Sequence, residues 1–79
     1  MSHYSFTLEV DGIDLNSRYE DALYEAGCDD ALVAVVNDRL TIDFDREALN
    51  LDAAIGSAVR NVLDAGGRII SVRVEKEAA

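Results

Sequence analysis

From Tyr4 to Val10 apolar and polar residues alternate, with Tyr4, Phe6, Leu8 and Val10 against Ser5, Thr7 and Glu9. This is the two-residue period of a strand with one buried face. Asp11-Gly12 predicts a turn. Ser17-Arg18-Tyr19-Glu20 has the S-x-x-E form of a capping box and opens a helix whose inner stripe is Leu15, Tyr19, Ala22, Leu23 and Ala26, stopped by a left-handed Gly27. Ala31 to Val36 is a continuous apolar run of strand type. Asn37-Asp38 makes a tight turn, and Leu40, Ile42 and Phe44 alternate with Thr41 and Asp43, so the two runs predict a hairpin. The second helix has the clearest pattern: Leu51, Ala54, Ile55, Ala58, Val59, Val62 and Leu63 recur at helical spacing behind an Asn50 cap, and Gly66-Gly67 ends it. A closing strand runs from Arg68 to Glu75 with Ile70, Val72 and Val74 inward.

The order β-α-β-β-α-β predicts an α+β fold, a ferredoxin-like sandwich with two helices on one face of a four-stranded antiparallel sheet. No proline, low-complexity tract or internal repeat divides the chain, so residues 1–79 read as one domain with a disordered tail near 76–79. In this arrangement the strand Ala31–Val36 lies at a sheet edge. An apolar edge needs a cover, supplied by the chain's own termini or loops, by a docked partner or by a second copy, and the last of these makes Leu32, Val33, Ala34, Val35 and Val36 the candidate contacts of a homodimer.

Charge narrows the choice of partner. The chain has 16 acids and 7 bases, a net charge of −9, and repels polyanions over a screening length of about 8 Å, which disfavours direct binding to nucleic acid or to an anionic membrane. Nine acids and two bases fall in residues 1–40, so the excess is concentrated there. Glu20, Asp21 and Glu25 lie on the first helix, Asp29 and Asp30 in the loop that follows, and Asp11 and Asp14 in the turn before it. Carboxylates spaced about 5–6 Å apart along a helix approximate a row of phosphates and suit an Arg/Lys-rich groove. Together the seven predict a face for a basic, nucleic-acid-binding protein.

Candidate chemistry is sparse. His3, the one histidine, falls where a chain end ordinarily frays, and Cys28 precedes Asp29-Asp30, whose charge opposes a thiolate. Asp11-Gly12-Ile13-Asp14, Asp29-Asp30 and Asp43-Phe44-Asp45 pair carboxylates without the spacing of a calcium loop, and no zinc or phosphate-loop spacing occurs. No catalytic residue, metal or cofactor is therefore assigned. A single cysteine, no apolar leader and no long apolar run point to a cytoplasmic protein.

Two stretches, Glu25-Ala-Gly-Cys-Asp-Asp-Ala-Leu-Val33 and Leu40-Thr-Ile-Asp-Phe-Asp-Arg-Glu-Ala48, resemble the N-terminal α/β domain that precedes a helix-turn-helix module in bacterial regulator-like or antitoxin-like proteins. The resemblance implies a protein-binding or dimerising domain; the DNA-reading module of that family lies downstream and has no counterpart in these residues. In size and acidity, though by no motif, the chain is also similar to small anti-CRISPR proteins of phage, which occupy basic surfaces without chemistry. The first expectation is thus a non-enzymatic inhibitor acting in a bacterial cell. The second is a regulatory or dimerisation domain.

Overall fold

The computed structural model describes residues 2–15, 18–28 and 30–77, the last three by backbone alone. The elements are β1 (Ser2–Asp11), α1 (Tyr19–Glu25), β2 (Ala31–Val36), β3 (Arg39–Ala48), α2 (Leu51–Asp64) and β4 (Arg68–Glu77). The sheet order is β2-β3-β1-β4 with every neighbouring pair antiparallel. The fold is α+β, and its element order and sheet are consistent with a ferredoxin-like sandwich.

Alternation along β1 and β3 builds the core. Tyr4, Phe6, Leu8 and Val10 lie on the same sheet face as Leu40, Ile42 and Phe44, and all seven are buried. Phe6 stands directly opposite Phe44, with ring centroids 5.3 Å apart and planes at 15°, an offset contact that adds about 1 kcal/mol to simple burial. The helices close this face: α2 through Ala54, Ala58 and Val62, and α1 through Leu23. Small alanines let α2 approach the sheet closely. The Asn50 side-chain oxygen accepts the Ala53 N–H at 2.8 Å, as the cap pattern predicts. Asn50→Ala should cost about 1 kcal/mol, read as a lower urea midpoint at unchanged slope.

Both helices end in the same way. Gly27 N–H donates to Tyr24 O and Cys28 N–H to Leu23 O; Gly66 N–H donates to Leu63 O and Gly67 N–H to Val62 O. Each is a Schellman motif, with Gly27 at φ +110° and Gly66 at φ +93°. The two ends share an Ala-Gly pair preceded by an acidic residue, Glu25 and Asp64.

Several boundaries differ from expectation. β1 begins at Ser2, which places His3 opposite Glu47 within the ladder rather than in a frayed end, 3.4 Å from Asp45 Oδ1 and 3.5 Å from Glu47 Oε2. The long β1 also offers Tyr4 and Ser5 as partners, so β4 extends to Glu77 and the expected tail loses positions 76 and 77; positions 78 and 79 lie outside the described residues. Of the three residues expected inward on this strand, register shifts in the β1–β4 ladder skip Ile70, and Val72 and Val74, though opposite Leu8 and Phe6, are exposed; Ile69, opposite Val10, packs against the core. The expected capping residue Ser17 lies outside the described residues; α1 starts at Tyr19, and Arg18 at the N-cap position makes no side-chain cap hydrogen bond. Ala22, assigned to the inner stripe, is exposed because a seven-residue helix rests on the sheet through Leu23.

Candidate protein-docking surface

Of the seven acids predicted to form one face, the six described divide into three groups. Glu20, Asp21 and Glu25 are exposed on α1. Glu20 and Asp21 occupy its first turn, where negative charge also favours the helix dipole. Arg18 Nη2 approaches Asp21 Oδ2 at 2.7 Å, both side chains well exposed, a contact worth a few tenths of a kcal/mol at most. These three carboxylates are an acidic row with one weakly held counter-ion. Asp11 sits at the end of β1 and accepts from Arg68 Nε at 3.1 Å; Asp14 follows in the exposed turn. Asp29 lies outside the described residues.

Asp30 belongs to a different structure. Its two oxygens accept from Arg46 Nε and Nη2, both at 2.7 Å. Arg46 also donates from Nη2 to Gly27 O at 3.0 Å, and from Nη1 to Ser57 Oγ at 3.0 Å and Asn61 Oδ1 at 2.9 Å. All five guanidinium N–H groups are thus engaged, and the carbon between them lies 5.0 Å from the Phe44 ring centroid. The hydrogen bonds from Arg46 hold the Asp30 carboxyl below its ordinary value of 3.8, against the opposing effect of burial. Asp30 therefore ties the end of α1 to β3 and α2, and its charge is compensated within the fold. Arg46 reads as a surface charge until its parity is noticed: it continues the inward series of Leu40, Ile42 and Phe44.

The second predicted surface, β2, is an edge strand, and among the described residues nothing pairs with its outer side. Asn37 and Asp38, at φ 53° and 63°, form the two-residue turn to β3 with the backbone twist of a type I′ hairpin. Asp45 N–H donates to Asp30 O, which fixes the alternation of the β2–β3 ladder. By that alternation Leu32, Ala34 and Val36 direct their backbone groups to β3, and Ala31, Val33 and Val35 direct theirs outward. Leu32 is 77% exposed and Val36 52% on the sheet's open side; Val35 is 46% exposed on the helix side. The edge is apolar and has no charged residue within it.

The two surfaces meet. A groove of about 420 Å³ runs between α1 and β2, bordered by Glu20, Asp21 and Tyr24 on the helix and by Ala31, Leu32 and Val33 on the strand. Tyr24, 66% exposed at the groove, lies off the inner stripe of α1, so helical spacing does not single it out. Cys28 is buried beneath, as a packing residue at a helix–strand junction.

Among the described residues no three His, Cys, Asp or Glu side chains come together to hold a metal, and no helix is long and apolar enough to cross a membrane. The site is defined by fold and surface: an α+β domain with an open sheet edge beside an acidic helix. The chain matches no family model, no curated protein and no solved structure.

Proposed function

We propose that the chain is a non-enzymatic protein-binding domain whose acidic α1 row engages a basic nucleic-acid-binding surface of a partner and competes there with DNA or RNA, in the manner of an anti-CRISPR-like inhibitor. The observation that supports this is the exposure of Glu20, Asp21 and Glu25 on one short helix where, among the described residues, Arg18 is the one cation paired with them. An interface of this kind forms quickly at low salt and weakens as salt rises. Its test is affinity capture from host extract followed by a mobility-shift assay of the captured protein on its own nucleic acid. The wild type displaces the nucleic acid, and the E20K/D21K/E25K variant, with unchanged circular dichroism, does not. A captured partner that keeps its nucleic acid in the presence of the wild type overturns the reading.

A second reading, a regulatory domain that dimerises through β2, is favoured by the exposure of Leu32, Val35 and Val36 on an unpaired edge. Sedimentation of the wild type beside Val33→Lys tests it, with a dimer lost in the variant as the expected result.

A further inference from the structure

We infer that the outer edge of β2 accepts an extended segment of a protein partner as a fifth strand, and that this segment carries arginine or lysine on its helix-facing side and apolar residues on the other. The inference rests on the reading of the chain as a binder of basic proteins and specifies how that partner is held.

Three observations on β2 carry it. The backbone groups of Ala31, Val33 and Val35 point away from β3, so an antiparallel newcomer finds three donors and three acceptors already in register. Residues of the newcomer opposite Ala31, Val33 and Val35 place their side chains on the helix side. There the groove is bordered by Glu20 and Asp21, and a cation meets two exposed carboxylates, one of which, Asp21, has only a solvent-exposed contact to Arg18 among the described residues. Residues between them fall on the open side beside Leu32 and Val36, the most exposed apolar groups of the strand, and bury best if they are apolar themselves. Recognition is thus an alternating basic and apolar strand.

Charge complementarity selects this occupant over a second copy. Pairing β2 with β2 about a twofold axis sets both α1 helices on the same face of the joined sheet. Glu20, Asp21 and Glu25 of one molecule then approach those of the other, and like charges across an interface oppose association. A basic strand meets the same carboxylates with the opposite sign. The edge itself contains none of the lysines or prolines that natural edges use to repel strands.

The experiment uses the full chain, labelled for NMR, with a short peptide of alternating arginine and valine as probe, and oligo-lysine and an alternating glutamate–valine peptide as controls. On binding the arginine–valine peptide, the amides of Ala31, Val33 and Val35 gain exchange protection, while those of Leu32, Ala34 and Val36, already bonded to β3, change little. Val35→Pro removes one outward donor without breaking the β2–β3 ladder and weakens the peptide about tenfold. Should that variant unfold, Leu32→Ser, at an exposed site, weakens it severalfold instead. Binding without protection of the three amides overturns strand addition, and equal binding of the glutamate–valine peptide overturns the charge rule. If oligo-lysine still binds and E20K/D21K/E25K abolishes that binding, the acidic-row reading survives either failure. If neither basic probe binds, both fall. A dimer of the unliganded chain that Val35→Pro dissociates assigns the edge to a second copy and overturns the proposed occupant.

Discussion

Replacing Arg46 with methionine is expected to lower the unfolding free energy by about 2–3 kcal/mol, measured by urea denaturation at neutral pH. Breaking a buried ion pair costs about 3–5 kcal/mol because the surviving charge is left without a partner. The Asp30 side chain is 31% exposed, so water reaches part of its carboxylate and brings the figure below that range. Methionine keeps most of the volume over Phe44 and removes the five Arg46 hydrogen bonds to Asp30, Gly27 O, Ser57 and Asn61. A chain of this length has a total stability of about 4–12 kcal/mol, so the variant should also melt roughly 10–20 °C lower. Arg46→Lys retains a charge but not the planar fork and should fall between wild type and Arg46→Met.

The same contact sets an acid limit. Asp30 has a lowered pKa in the folded chain, mainly through its hydrogen bonds from Arg46. A carboxyl depressed in this way contributes stability that is complete above its ordinary value of 3.8 and is lost as pH falls through the lower folded value. The gap between wild type and Arg46→Met should therefore narrow as the medium is acidified below pH 3.8. A gap that stays constant would place the effect of the substitution elsewhere than in the pair.

Gly67→Ala should cost about 2–3 kcal/mol for a different reason. A Cβ at Gly67 would lie 2.8 Å from Val10 Cγ1, 2.8 Å from Val62 Cγ1 and 3.1 Å from Ile13 Cδ1. Val10 and Val62 are buried, and a branched side chain in a packed core has no other rotamer to move to without strain. Gly66 provides the internal comparison, because a Cβ there meets nothing within 4 Å although its φ is +93°. Gly66→Ala should therefore lose only about 1 kcal/mol, the cost of the left-handed backbone. Similar losses at the two positions in thermal unfolding would refute the close-approach argument for Gly67.

Neither effect was legible in the pattern of apolar residues, although that pattern located nearly all of the core. Period-two alternation identified Phe6, Leu8, Ile42 and Phe44 because each strand has one wet face. Helical spacing identified Ala54, Ala58 and Val62 because α2 is long enough to show its period. Gly67 was read only as part of a helix stop, since nothing in Gly66-Gly67 reveals which glycine lies against two valines. In the sequence Asp30 reads as part of the acidic face, because a loop carboxylate shows no period and its partner is sixteen residues away. Ile69 replaced Ile70 as the inward residue because a register shift in the ladder resets parity, which no local spacing announces. The docking groove is harder still to foresee. It exists where α1 and β2 come together, and only the chain reversal at Gly27 brings the acidic helix alongside the open edge.

The position of β1 between β3 and β4 governs how the chain acquires its shape. The first strand of the fold is completed by the last, Tyr4 opposite Glu77, so half of its backbone partners arrive only after a loop of nearly the whole domain has closed. Such closure is entropically costly and slows β-rich folding. Without β4, β1 has a bare flank of the same kind as the outer edge of β2. A chain in which β4 has come away from β1 is therefore open on both sides of the sheet, and opening of that last strand is the step that exposes most pairing surface to misassociation.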